Sequence, residues 1–294
     1  MKITKAIIAV AGYGTRFLPA TKNLPKEMIP IIDKPIVQYL VEEAIASGIK
    51  DIILVTRYGQ GVLENHFDSN FELETMLANT GKDELLEKVK KTYRGINFIF
   101  TRQGRHYPYG NGTPLLCAKN LIGKNESFVY MFGDDLVFSK VPAVAQLIDV
   151  WEKNDHHPVI ACQEVAKSEV SKYGILKLKN GSNNELETAV EKPDPSEVKA
   201  PYLAQFGRFI LNDKIVDIIN KNYEENLLGK NNELWLIDSV VKYVKDHQVN
   251  TCKIDGQWMT TGDPLNFMKA ATIFALSRED IGKDFKQFLK DLKL

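Results

Sequence analysis

Short runs of apolar and β-branched residues alternate along this chain with segments whose apolar residues recur every three to four positions. The runs at 5–11, 51–56, 96–101 and 128–132 read as strands, the last ending in Gly133-Asp134-Asp135. In "KPIVQYLVEEAIASG", Ile36, Val37, Leu40, Val41, Ala44 and Ile45 share one side of a helix over 34–48, and Gly48 sits where a helix C-terminal glycine belongs. Another helix starts near residue 60. Strand, helix and strand in repetition predict βαβ units and a parallel sheet.

Beyond residue 155 the rhythm changes. "HPVIACQEV", "YGILKLKNG", "YLAQFGRFIL" and "VNTCKIDGQW" read as strands separated by turn residues or polar connections. The expected architecture is therefore α/β, a Rossmann-like doubly wound, mixed but mostly parallel sheet with a β-rich second half. No Pro/Ser-rich linker and no repeat interrupts it, so one domain is expected over 1–294, with halves of about 1–135 and about 136–294. The charged stretch 64–95 carries Leu73, Met76, Leu77 and then Leu85, Leu86, Val89 at helical spacing and predicts two amphipathic helices that cover the sheet or a partner subunit. In the tail, Phe285, Phe288, Leu289 and Leu292 share one helical face, which suits docking on the domain or on another subunit.

Charge narrows the partners. Lys and Arg number 38, Asp and Glu 38, so no net field draws the chain to nucleic acid or to an anionic membrane. No apolar run approaches the roughly 18 residues of a membrane helix, and the apolar stretch after Met1 is too short for a signal peptide. Cys117, Cys162 and Cys252 are far apart, which suits a reducing compartment and predicts a cytoplasmic protein. His66, His106, His156, His157 and His247 show no metal-ligand spacing.

The candidate chemistry starts in "AVAGYGTRFLPATKNLPKEM", residues 9–28, where Gly12 and Gly14 come directly after the first strand. A Walker loop needs a Lys-Ser/Thr pair that is missing here. A dinucleotide fingerprint needs a third glycine opening a helix, but Phe17 stands there, and Pro19 and Pro25 would break a helix begun at that point. The remaining possibility is a turn whose backbone N–H groups can approach an anion, with Arg16, Lys22 and Lys26 on one irregular segment beyond it. Such a loop suits phosphates. "FGDDLV" places Asp134 and Asp135 at the C-terminal edge of a strand, where open α/β sheets bind ligands and where carboxylates suit Mg²⁺.

"AGYGTRFLPATKNLPKEMIPIIDKPIVQYLVEEAIASGI" resembles the opening of bacterial UTP–glucose-1-phosphate uridylyltransferases, within the wider sugar nucleotidyltransferase family. The likeness continues through "ENHFD", "RQ", "LLCAKNLIG", "VSKYGI", "VEKP", "GRFIL" and "KNNEL" and covers nearly the whole chain. It implies Mg²⁺-dependent transfer of a uridylyl group from UTP to glucose 1-phosphate, in a homodimer or homotetramer. It implies that Ala11, Gly12, Gly14 and Thr15 approach the triphosphate, that Arg16 and Lys26 contact its phosphates, and that Asp134 is the metal ligand, with Asp135 behind it. Gln103 and Gly110 would flank the base; Gly174, Glu191 and Lys192 would hold the sugar phosphate.

The chain also leaves the family pattern. Thr113 and Pro114 end a "YGNGTP" segment on the base side, Gln205 stands where an apolar residue commonly lines the sugar pocket, and Trp235 and Ile237 replace polar residues near it. Thr260 occupies the position at which many relatives carry a second metal carboxylate, with Asp263 three residues on as a possible substitute. These departures leave open the same reaction with dTTP or another sugar phosphate, and a weakly active or inactive homologue that binds nucleotide sugars as a regulatory subunit.

Overall fold

The computed structural model describes residues 2–292. In chain order the strands are β1 (Lys5–Ala9), β2 (Pro30–Ile31), β3 (Lys34–Pro35), β4 (Asp51–Thr56), β5 (Asn97–Arg102), β6 (Ser127–Phe132) and β7 (Asp135–Phe138). They continue with β8 (Val159–Glu164), β9 (Gly174–Leu178), β10 (Leu186–Glu191), β11 (Leu203–Asn212), β12 (Asn250–Lys253) and β13 (Gln257–Thr260). The main sheet runs β10-β9-β11-β6-β1-β4-β5, with β8 along β11 and β12 along β8.

Strands of the first half pair in parallel: β1 with β4, β1 with β6 and β4 with β5. That is the arrangement the alternation of strands and helices predicts, because parallel neighbours need a crossover between them. β11 then joins β6 antiparallel and brings the second half into the same sheet. Successive side chains point to opposite faces of a strand. Ile8, Ile52, Leu54, Val129 and Met131 accordingly pack with the helices Ile36–Ala46 and Ala143–Lys153, whereas Ile7, Ile53, Phe128 and Tyr130 pack with Thr113–Ala118, Asp213–Glu224 and Leu236–Tyr243. Both faces are covered, as the apolar runs require.

Two helices, Phe71–Asn79 and Asp83–Lys90, form the stretch read as amphipathic, the first capped by the Asn70 side chain on Leu73 N–H at 3.0 Å. The tail forms a helix over Gly282–Asp291 packed on the helix Pro264–Ser277; Phe285 and Leu289 are half-buried there while Phe288 and Leu292 stay exposed. No helix among the described residues is long and apolar enough to cross a membrane.

Strand β11 shapes the cleft. Along one flank it pairs with β8; along the other, Arg208–Asn212 pair with β6 and Leu203–Ala204 with β9. Residues 205–207 fall between those two pairings, where the β8 register also shifts. A gap thus opens in the sheet between the end of β6 and the start of β9.

Candidate active site

The glycine turn leaves β1 at the sheet edge. Gly14 adopts φ 61°, a left-handed conformation that glycine takes without strain, and a Cβ there would press on Lys26 and Thr21. Its carbonyl accepts from Thr21 Oγ1 at 2.8 Å and from Phe17 N–H at 2.9 Å, which folds the segment back over the strand. Arg16 points outward and donates from Nη1 to Gly262 O at 3.3 Å. Lys26 points inward, and its Nζ lies 2.5 Å from Asp134 Oδ2 at the end of β6. Lys22 is exposed and does not join them.

Lys26 and Asp134 stabilise each other's charge. Burial pulls the ammonium down and the carboxyl up, but the opposed charge outweighs it in both, so Lys26 is raised and Asp134 lowered. Glu27 is different. It is 1 % exposed, Lys26 Nζ is 3.9 Å away, and burial pushes its carboxyl up to about 8.

Asp135 serves the frame, as its neighbour's partner in the turn. Its Oδ2 accepts from Gly207 N–H at 2.8 Å and its Oδ1 from Trp258 Nε1 at 2.9 Å; burial and the adjacent Asp134 push it up to about 6. Beneath it the fully buried Arg208 donates to Asp135 O and Gly207 O, both at 2.8 Å, and forks onto Glu43 through Nε at 2.9 Å and Nη2 at 2.7 Å. Sequence reasoning missed this Glu43–Arg208 link: the two lie 165 positions apart and neither stands in a chemical motif.

β13 pairs antiparallel with β7, Thr260 opposite Asp135. The space that a side chain on Gly262 would need is ringed by Asp134 Oδ2, Thr260 Oγ1 and Arg16 Nη1 at 3.0, 3.4 and 3.5 Å. Thr260 therefore faces Asp134. Asp263 does not: it caps the helix Pro264–Ser277, accepting from Asn266 N–H at 3.0 Å and Asn266 Nδ2 at 2.6 Å. It is a poor substitute for a metal carboxylate. The pattern Asp-Pro at a helix start was readable in the sequence.

Ala11, Gly12, Lys26, Gln103, Gly110, Pro114 and Asp134 line one cleft of about 260 Å³. Thr15 stands beside it in the turn. Gln103 and Gly110 thus line the same cleft despite the six residues between them. The "YGNGTP" segment is stitched to the second half: Leu234 N–H donates to Tyr109 O at 2.7 Å, Gly112 N–H to Leu234 O at 2.9 Å and Leu236 N–H to Asn111 Oδ1 at 2.8 Å. Thr113 is buried and donates to Pro108 O at 2.8 Å, which makes it a clasp for this loop.

Across the gap, Gly174, Glu191 and Gln205 converge. A side chain on Gly174 would strike Gln205 Nε2 and come within 2.8 Å of Glu191 Oε2. Burial raises the Glu191 carboxyl, against the pull of Lys192, whose Nζ is 3.7 Å from Oε1. Lys192 has φ 46° and donates its N–H to Tyr173 O at 3.1 Å, a left-handed kink that turns its half-exposed side chain outward. The expectation for Trp235 and Ile237 needs correction. Ile237 is buried in the core, and Trp235 lies over Gly229 with its Nε1 on Glu233 Oε2 at 3.0 Å.

Among the described residues no group of three His, Cys, Asp or Glu side chains could hold a metal. The donor set at the edge is one carboxylate, Asp134, with the Thr260 hydroxyl alongside. That is too few for an all-protein cage, and it matches Mg²⁺, which keeps its waters and takes the rest of its oxygens from substrate phosphates.

An open α/β sheet with a cationic glycine turn and a carboxylate at its carboxyl edge defines a nucleotidyltransferase, and the chain belongs to the nucleotidyl transferase family, whose model matches residues 5–275. It is 42% identical to the UTP–glucose-1-phosphate uridylyltransferase of Staphylococcus epidermidis, an alignment covering 100% of this chain and 99% of that one. With UTP–glucose-1-phosphate uridylyltransferase 1 of Streptococcus pyogenes the identity is 41%, over 98% and 94% of the two chains. Among solved structures, the UTP-bound UDP-glucose pyrophosphorylase of Acinetobacter baumannii superposes with a TM-score of 0.87 at 32% identity, covering 99% of this chain and 100% of that one. A UDP-glucose pyrophosphorylase complexed with UDP-glucose gives 0.82 at 32% identity, covering 94% and 100%.

Proposed function

We propose that the protein transfers the uridylyl group of UTP to glucose 1-phosphate, releasing pyrophosphate and forming UDP-glucose. The convergence of Arg16, Lys26 and Asp134 on one side of the sheet gap with Gly174, Glu191 and Lys192 on the other carries this reading, and the full-length likeness to uridylyltransferases supports it. An oxygen of the sugar phosphate forms a bond to the α-phosphorus while the bond from that phosphorus to pyrophosphate breaks in line. The sugar-phosphate oxygen is itself the nucleophile, so no covalent intermediate on the protein is needed, and both reactants are polyanions. The protein has to suppress repulsion, align the partners and stabilise the charge that builds on the transferring group.

In this reading Ala11, Gly12, Gly14 and Thr15 bring backbone N–H groups to the triphosphate, and Gln103 and Gly110 flank the uracil. Arg16 stabilises the phosphoryl group in transfer, and Lys26 neutralises phosphate as pyrophosphate departs. Lys192 holds the 1-phosphate; Glu191 accepts from sugar hydroxyls beside Gly174. Asp134 would hold Mg²⁺, whose charge, when bound, offsets that of the phosphates. We place the enzyme in the cytoplasm, a reading supported by three free thiols. We also propose a homodimer or homotetramer, supported by exposed apolar residues such as Phe71 on the inserted helices, 84% exposed.

Pyrophosphate release by the purified protein over a panel of nucleoside triphosphates and sugar 1-phosphates tests the reading. UTP with glucose 1-phosphate should be fastest, and Lys26→Ala should lower the rate about a hundredfold with an unchanged circular dichroism spectrum. A faster pair such as dTTP with another sugar phosphate would replace the substrate assignment. No release from any pair, with UDP-glucose still bound in calorimetry, would make the protein a binding subunit instead.

A further inference from the structure

Gln205 has one carbonyl that the fold does not use. It lies in β11 at the gap between the β6 and β9 pairings, is 6% exposed, and its Oε1 is buried without a partner among the described residues. A buried acceptor left unpaired costs stability, and an apolar side chain of the same length avoids that cost. The other end of the amide is engaged: Nε2 donates to Glu191 Oε2 at 3.3 Å. Reversing the amide would set oxygen against a carboxylate oxygen, so Glu191 decides which end faces it. Gly174 leaves room for this pair because it has no side chain. Lys192 approaches the opposite oxygen, so Glu191 is gripped from two sides.

We infer that Gln205 is a positioning residue that sets sugar selectivity: it fixes the Glu191 carboxylate in the orientation that meets the sugar hydroxyls, at the expense of stability. The inference rests on the reading of Glu191 as a sugar ligand. Selectivity arises because epimers differ in where one hydroxyl points, and only a carboxylate held in one orientation can reject the wrong one.

Gln205→Met keeps the length of the side chain and removes both polar atoms. Its melting temperature should equal or exceed the wild type's. The KM for glucose 1-phosphate should rise about tenfold with the KM for UTP unchanged, as expected for losing a hydrogen bond to a charged group. The preference in kcat/KM for glucose 1-phosphate over galactose 1-phosphate should shrink by a similar factor. Gln205→Glu, which turns the donor into a second carboxylate, should raise the same KM at least as far. An unchanged sugar-phosphate KM and sugar ratio in both variants would overturn the inference while leaving the proposed reaction standing. A melting temperature well below wild type in Gln205→Met would also overturn it, by making Gln205 a packing residue. An inactive wild type would sink the reaction and this inference together.

Discussion

Glu27 pairs a buried position with a distant counter-ion, and the consequence is a pH-dependent stability. Its carboxyl is pushed up to about 8, chiefly by burial, from an ordinary value of 4.5. An acid whose folded value is raised keeps its proton in the fold while the unfolded chain loses one. Stability therefore falls as pH rises from about 4.5 to about 8 and levels off above. Glu27→Gln removes this dependence. Melting curves should show the variant gaining on the wild type across that window, with a constant difference at higher pH; a difference independent of pH would mean that Glu27 is ionised in the fold. Thr260 makes a second prediction at this scale. Its hydroxyl faces Asp134 across the Gly262 space, where a carboxylate would add a charged ligand. Thr260→Asp should lower the Mg²⁺ concentration for half-maximal rate several-fold in a metal titration, and an unchanged midpoint would place residue 260 off the metal.

At the scale of elements, the sheet edge is held by a bond between a helix and a strand. Glu43 of the helix Ile36–Ala46 receives the Arg208 fork from β11, and Arg208 in turn holds the first carbonyl of β7. A buried guanidinium that loses its carboxylate costs about 3–5 kcal/mol. Urea unfolding of Glu43→Ala should show a loss of that order, and the double variant with Arg208→Met should lose much less than the sum, because the stranded charge is gone. This link marks where reading the sequence stops. Helix Ile36–Ala46 and the first four parallel-sheet strands are legible from local periodicity, with boundaries shifted by one or two residues. β7 and β13 are not: each is four residues long, and their pairing joins positions more than a hundred apart. Arg16, Lys26 and Asp134 could be picked out by type and spacing, whereas Glu191 stands out only through the family resemblance, since Glu-Lys-Pro by itself reads as a surface turn. Asp135 as a buried anchor and Ile237 as a core residue could not be picked out, since burial is decided by what distant segments pack against.

The whole molecule closes its cleft with both halves. Residues that line the cleft beside Lys26 and Asp134 come from before β7, those around Glu191 from after it, and β11 joins the two through its pairing with β6. A ligand that touches one half should therefore order only that half. In hydrogen exchange, UTP should slow the amides of residues 11–16 and 103–112, whereas UDP-glucose should slow these together with residues 173–192. Each ligand at a hundred times its dissociation constant should stabilise the fold by about 2.7 kcal/mol, since it binds the folded state alone. Protection of 173–192 by UTP without a sugar would mean that the two sides of the sheet gap move as one unit on nucleotide binding. Protection confined to 11–16 and 103–112 with UDP-glucose would remove Gly174, Glu191 and Lys192 from the sugar site.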